Sequence, residues 1–199
     1  MFCGAFKQTA FDVATHLVVS PGVSLQEPMI QQGLRSGIVV MSDIDLFACA
    51  TDKPIIAITG SNGKSTVTTM MGDLGKAAGV KTAIGGNLGT PALDLLQQDA
   101  DLYVLELSSF QLERTTALNA AAATVLNVTP DHLDRHEGME GYAKEKQRIF
   151  RGDGAMILNA DDPWVEAMAE SGRSTYRFSI QQPADFYLQG GANPALMFR

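Results

Sequence analysis

From residue 54 onward, short β-branched runs alternate with stretches of helical periodicity. Pro54-Ile55-Ile56-Ala57-Ile58-Thr59 is apolar at nearly every position, the pattern of a strand buried on both faces of a parallel sheet. Val67, Met70, Met71, Leu74, Ala77 and Ala78 then fall at i, i+3, i+4, i+7 spacing. That spacing predicts a helix with those residues on its buried face, closed at Gly79 by a left-handed cap. Further strands are predicted at 80–84, 102–107, 122–128, 155–159 and 175–180. Helices are predicted from Pro91 to Gln98, over 139–151 and over 163–170, with Gly85 to Gly89 as a loop. Strand–helix alternation of this kind implies an α/β fold built on a mostly parallel, doubly wound sheet.

Residues 1–50 carry a weaker pattern. Leu17-Val18-Val19 reads as a strand running into the turn Ser20-Pro21-Gly22, Met29 to Leu34 as a helix, and Ile38-Val39-Val40 as a second strand. These elements are too few to close a core alone. They predict a partial Rossmann-like domain over 1–50, truncated at its start, with a boundary at 50–53. The main domain then spans 51–199. The final apolar run, Ala195 to Phe198, is expected to be a strand cut short, so both ends read as cut rather than finished.

Composition narrows the functional classes. A chain of 199 residues that is 45% apolar buries a real core and is not disordered. Its net charge of −7 argues against a general nucleic-acid binder, which needs clustered Lys and Arg; any anion is bound at a local site. Cys3 and Cys49 make no disulfide framework and no CxxC pair, the usage of reduced thiols in the cytoplasm. No basic segment followed by a long apolar run opens the chain. The longest apolar stretches are strand-sized, so no membrane span is expected.

The chemistry begins where the strand 54–59 meets Gly60-Ser61-Asn62-Gly63-Lys64-Ser65-Thr66 and a helix. Strand, glycine loop and helix together aim backbone N–H groups and the positive helix end at an anion. Lys64 supplies a charge for the β- and γ-phosphates, and a hydroxyl of Ser65 or Thr66 suits Mg²⁺. The run is not a full Walker A motif, because Ile58 stands where its first glycine would be. The result is a P-loop-like phosphate site, the alternative being a glycine-rich turn that carries a surface lysine.

Three side chains further along are candidates to complete it. Glu106 ends an otherwise apolar strand, a costly place for a charge unless it is paired or holds a metal. His132 and His136 lie in Thr129-Pro130-Asp131-His132-Leu133-Asp134-Arg135-His136-Glu137, where a solvated polar loop is the default and only His132 stands near a strand end. Their i, i+4 spacing resembles a zinc pair, but no third ligand with zinc spacing accompanies it. Lys146 shares a helical face with Met139, Tyr142, Ile149 and Phe150, whereas Lys144 and Arg148 point away. An inward lysine either snorkels along its apolar face or loses its proton readily. His16 has no motif around it and reads as structural.

Taken together, these motifs resemble the Mur ligase family, the ATP-dependent ligases that build the peptide stem of peptidoglycan. The resemblance runs from about residue 14 to the end. Ile58 to Thr66 is similar to the family's shortened ATP loop, and Gly85 to Gly89 and Leu126 to Asp134 are similar to family segments. Leu105-Glu106-Leu107-Ser108-Ser109-Phe110-Gln111-Leu112 resembles the family's D-glutamate-adding branch. The resemblance implies that Gly60, Ser61, Asn62, Gly63, Lys64, Ser65 and Thr66 hold ATP. It implies one Mg²⁺ on Ser65 and Glu106 and a second among Glu106, His132 and a carbamylated Lys146. Lys64, Glu106, His132 and Lys146 would be the catalytic set.

By the same resemblance, Asn87, Ser108 and Gln111 would contact the UDP-sugar substrate, and Ser20, Pro21 and Gly22 part of its uridine site. The ligands implied are UDP-N-acetylmuramoyl-L-alanine and D-glutamate, bound by a monomeric cytoplasmic enzyme. Three features depart from the family. Its glycine-rich opening unit has no counterpart in residues 1–16, its central ATP-binding domain, here 51–199, is expected to continue past residue 199 to the adenine contacts, and its C-terminal amino-acid-binding domain is missing. The expectation is an internal piece of the enzyme. The alternatives are a nucleotide-binding piece without catalysis, an ordinary P-loop kinase or NTPase, and a folate-adding relative; Ile58 disfavours the kinase reading and the Ser108–Gln111 segment both of the last two.

Overall fold

The computed structural model describes residues 6–133, 135–190 and 194–198. Cys3, Asp134, residues 191–193 and Arg199 lie outside them. In chain order the elements are α1 (Gln8–Phe11), β1 (His16–Val18), α2 (Pro28–Arg35), β2 (Val39–Met41), α3 (Asp43–Ala50) and β3 (Ile55–Thr59). They continue with α4 (Lys64–Ala77), β4 (Thr82–Gly86), α5 (Ala92–Leu95), β5 (Leu102–Glu106), α6 (Ser109–Leu112) and β6 (Ala122–Val125). The last are α7 (Met139–Gln147), a 3-10 turn (Arg148–Phe150), β7 (Ala155–Asn159), α8 (Pro163–Glu166), β8 (Thr175–Ser179), β9 (Phe186–Gln189) and β10 (Ala195–Phe198).

The main sheet has eight strands in the order β10-β9-β8-β7-β6-β3-β5-β4. Among the described residues, neighbours from β4 to β9 run parallel and β10 is antiparallel to β9. The expected mostly parallel α/β sheet is present. The chain leaves β3 on one side toward β4 and β5 and returns on the other to β6, so its direction of winding reverses at the β3–β6 seam. Ligands of such sheets sit outside the carboxyl ends of the strands at that reversal. The register sets Ile58 beside Glu106, Thr59 beside Val125 and Gly86 beside Glu106, so the loops after β3, β4, β5 and β6 emerge together. A separate parallel pair, β1 and β2, is joined by α2.

Successive residues of a strand face opposite sides. Ile55 and Ala57 face a core that holds Ile44 and Phe47 of α3, Leu95 of α5, and Ile149 and Phe150 of the 3-10 turn. Phe47 packs edge-on against Tyr103, centroids 5.0 Å apart; burying a side chain of that size contributes roughly 1.5–3 kcal/mol. Helix α3, absent from the sequence expectation, thus packs in the sheet's core although it precedes the 50–53 segment. Ser42 opens it with a capping box shared with Asp45.

On the opposite face α4 covers β4 and β5, but through a different stripe from the one predicted. Thr68 and Gly72 are its buried positions, while Met70 and Leu74 are 57% and 60% exposed. Close approach is the reason. A Cβ at Gly72 would lie 2.7 Å from Ile84 Cγ2, so the helix can meet the sheet only where it carries no bulk. Beside α4 an apolar hollow of about 480 Å³ opens over β6, β7 and β8, lined in part by Ile58, Val67, Met71, Leu126, Ile157 and Phe178. Other departures concern length: α5 and α8 are single turns of 4 residues, and β6 ends at Val125. No helix among the described residues is long and apolar enough to cross a membrane.

Candidate active site

The loop after β3 is clasped by the segment after β6. Ser61 N–H donates to the Asn127 carbonyl at 3.0 Å. The Asn127 side chain accepts from Asn62 N–H at 2.9 Å and donates to the Asn62 carbonyl at 3.0 Å. Ser61 Oγ both donates to the Thr129 carbonyl and accepts from Thr129 N–H at 3.0 Å. Gly63 takes φ +82° at the cap of α4, a left-handed turn that glycine adopts without a steric penalty. Ser65 and Thr66 follow on the exposed first turn of the helix.

Lys64 folds back over this loop, its Nζ donating to the Gly60 carbonyl at 2.9 Å and the Ser61 carbonyl at 3.1 Å. Lys146 approaches from α7 and donates to the same Gly60 oxygen at 2.9 Å. Met139, Tyr142, Ile149 and Phe150 flank it on its face as periodicity predicted, and Lys146 is only 1% exposed. Its ammonium also lies 4.4 Å from the centre of the Tyr142 ring. Burial, and then the nearby Lys64 charge, lower its pKa to about 7, against a smaller opposing pull from Asp131.

Glu106 closes the site from β5. It is 2% exposed; Oε1 accepts from Asn87 Nδ2 at 2.8 Å, while Oε2 is buried without a hydrogen-bond partner. Asn87 is brought there by the end of β4, where its N–H donates to the Glu106 carbonyl at 2.8 Å. Gly86 permits this, with φ +97° and no room for a side chain: a Cβ would lie 2.4 Å from that carbonyl oxygen. A buried, unpartnered carboxylate oxygen beside a phosphate loop is the donor a hard cation takes. Among the described residues no group of three or more His, Cys, Asp or Glu gathers as a ready-made metal cage. A cation here would therefore draw on Glu106, a hydroxyl such as that of Ser65, and the ligand's own oxygens.

A cleft of about 170 Å³ joins Lys64, Asn87, Ser108, Asp131, His132 and Lys146, with Ser109, Phe110 and Tyr142 completing its wall. His132 stands on its rim, half exposed, with Nε2 3.6 Å from Asp131 Oδ1 and its ring 5.1 Å from Phe110. Gln111 is buried and its side-chain oxygen accepts from Ser108 N–H at 3.0 Å, forming the capping box of α6. Ser20, Pro21 and Gly22 form the turn after β1 and do not line this cleft. His16, beyond the site, is exposed and contacts the Thr15 hydroxyl.

Several residues at the site had no distinguishing sequence signal. Tyr142 Oη lies 3.3 Å from Ser61 Oγ, and its ring faces Lys146. His136 departs from the solvated-loop expectation: it is 6% exposed, its Nε2 is 2.9 Å from Ser109 Oγ, and it stacks on Phe110 at 5.2 Å. Its partners are distant in sequence. Burial holds its pKa below the usual histidine range; Glu113 opposes that shift, and Lys146, His132 and Arg135 reinforce it.

Comparison with known proteins identifies the frame in which these residues sit. The family model of the Mur ligase middle domain matches residues 58–194. The chain belongs to the Mur ligase family. Among curated relatives, this Mur ligase chain is 57% identical over 180 residues to the UDP-N-acetylmuramoylalanine–D-glutamate ligase of Methylococcus capsulatus, covering 90% of the chain and 39% of that protein. It is 55% identical over 178 residues to the ligase of the same name from Marinobacter nauticus, covering 89% and 39%. The chain thus spans about two-fifths of the length of these relatives. Among solved structures, MurF ligase from Thermotoga maritima in complex with ADP superposes with a TM-score of 0.61 at 18% identity, covering 93% of this chain and 54% of that one. E. coli FolC in complex with ADP gives 0.59 at 19% identity, covering 78% and 50%. Those two likenesses establish the shared fold of the Mur ligase core.

Proposed function

We propose that this chain is the ATP-binding core, with part of the UDP-substrate domain, of a ligase that adds D-glutamate to UDP-N-acetylmuramoyl-L-alanine. The observation that carries the reading is the convergence of Lys64, Asn87–Glu106 and Lys146 on one phosphate loop, in a chain over half identical to curated ligases of that name. In the proposed reaction the substrate's terminal carboxylate attacks the γ-phosphorus of ATP and ADP leaves. The amine of D-glutamate then attacks the acyl phosphate, and phosphate leaves. Lys64 and the N–H groups of the 60–66 loop hold the phosphates and offset their charge. Asn87 and Ser108 orient the substrate beside them.

Ser65 and Glu106 would hold one Mg²⁺, and Glu106, His132 and Lys146 a second; bound there, Mg²⁺ neutralises phosphate charge. A pKa of about 7 leaves Lys146 substantially neutral near physiological pH. Its amine nitrogen can then add to the carbon of CO₂ and lose a proton to solvent, giving the carbamate anion that would suit a cation. Gln111, through the α6 cap, supports Ser108, and Ser20, Pro21 and Gly22 contribute to the uridine site. The working enzyme is read as a cytoplasmic monomer.

Titration calorimetry with ADP and Mg²⁺ tests the nucleotide site. The expected result is saturable binding that Lys64→Ala weakens at least tenfold; equal affinity in the two proteins would overturn the reading. A second reading is nucleotide binding without ligation by these 199 residues alone. Incubation with ATP, Mg²⁺, UDP-N-acetylmuramoyl-L-alanine and D-glutamate separates the two, since only the first yields amide product.

A further inference from the structure

Arg114 bridges two segments that the proposed function assigns to one substrate. It follows α6, and its side chain has no exposed surface. Nη1 donates to the Phe110 carbonyl at 2.7 Å and to Glu113 Oε2 at 2.9 Å. Nη2 donates to the Val23 carbonyl, 91 residues away in the chain. Val23 closes the turn Ser20-Pro21-Gly22, with its own N–H donating to the Ser20 carbonyl at 3.0 Å. Phe110 lies between Ser108 and Gln111 and lines the cleft. One guanidinium therefore holds the far end of the uridine-side turn at a set distance from the substrate-facing segment.

The chemistry suits that task. A buried guanidinium keeps its charge and must find acceptors. Its planar fork fixes the direction of each bond, so two carbonyls held by the two Nη atoms are held relative to each other. The next residues are tied separately to the start of α3: Ser42 Oγ lies 3.1 Å from Thr115 Oγ1, and Asp45 Oδ1 accepts from Thr116 and Ala117 N–H at 2.7 Å each. Those contacts anchor 115–117 to α3, and Arg114 extends the anchorage to the Ser20–Val23 turn.

We propose that Arg114 is a positioning residue for the UDP-substrate: it locks the Ser20–Val23 turn against the Ser108–Gln111 segment and so sets affinity for the uridine-linked ligand while leaving the ATP loop alone. The proposal rests on the reading of the uridine site given under Proposed function. Arg114→Met and Arg114→Lys test it with two readouts. In Arg114→Met, amide hydrogen exchange should accelerate at least tenfold at 24–26 and 109–112 and stay unchanged in β3. Affinity for UDP-N-acetylmuramoyl-L-alanine should fall at least tenfold, with ADP binding within twofold of wild type. Arg114→Lys, which keeps the charge but reaches only one carbonyl, should recover part of both. Unchanged exchange in both segments, or equal losses for the two ligands, would overturn the proposal. Failure of the wild-type chain to bind the UDP-substrate would count against the uridine-site reading instead, and the exchange result then decides Arg114's role on its own.

Discussion

Lys146 and Lys64 converge on a single acceptor, each donating from Nζ to the Gly60 carbonyl oxygen at 2.9 Å. Two ammonium groups so close disfavour each other's charge, and burial decides which yields. Lys64 is partly exposed on α4, whereas Lys146 is enclosed by Tyr142 and the 3-10 turn. The phosphate loop thus has, beside Lys64, a buried lysine that titrates near neutrality.

That asymmetry predicts an alkaline gain in stability. The folded pKa of Lys146 is about 7, below its ordinary value of 10.5. Below pH 7 both folded and unfolded chains hold the proton, and the cost of a buried ammonium is present in full. Between about pH 7 and 10 the unfolded chain binds more protons, so stability rises with pH, by at most about 1.4 kcal/mol per unit. Urea unfolding in CO₂-free buffer at pH 7, 8 and 9 should show the rise, and Lys146→Met should flatten it. A wild-type slope equal to the variant's would contradict the assignment.

His136 predicts the opposite limb. Its folded pKa is depressed, chiefly by burial, so on acidification below about 6.5 the unfolded chain takes up the proton first. Stability is therefore present above that pH and is lost as pH falls toward the folded pKa. Thermal midpoints between pH 7 and 5 should drop more for wild type than for His136→Phe, which keeps the stacking on Phe110 and has no proton to gain. Parallel curves would show that His136 is not the group responsible.

Helix α4 separates apolar periodicity from burial. Gly72→Val sets a Cβ 2.7 Å from Ile84 and should cost about 1–3 kcal/mol as overpacking. Leu74→Lys, at a position 60% exposed, should change stability by less than about 0.5 kcal/mol. Denaturant midpoints of the two variants check the contrast. A reversed order would restore the helix face predicted from the sequence.

The same contrast explains what was legible. Strand β3, its glycine loop and the inward turn of Lys146 follow from local spacing alone, because neighbours three or four residues away define those faces. The buried stripe of α4 did not, since glycine carries no hydrophobic signal yet decides how closely a helix approaches a sheet. Helix α3 was hidden because its buried Asp45 reads as a surface residue; its compensating amides, at 116 and 117, are 71 and 72 positions away. The burial of His136 depends likewise on Ser109, 27 residues earlier. Glu106 was visible as a misplaced charge on an apolar strand, but its pairing with Asn87 belongs to the β4–β5 register.

Glu106 supports the last prediction, because cation binding and apo stability should respond to it with opposite signs. Its Oε1 is satisfied by Asn87 and its Oε2 is buried without a hydrogen-bond partner in the protein, so without a cation Oε2 is an incompletely compensated acceptor. Glu106→Gln can keep the Asn87 contact through its amide oxygen while replacing Oε2 with a neutral donor. In EDTA the variant should be as stable as wild type or more stable by about 1 kcal/mol, since replacing a poorly compensated buried charge is often stabilising. The extra rise in thermal midpoint that Mg²⁺ adds to ADP should disappear, because the hard anionic ligand is gone. A variant that loses stability in EDTA and keeps the Mg²⁺ response would place the cation elsewhere and make Glu106 a structural carboxylate.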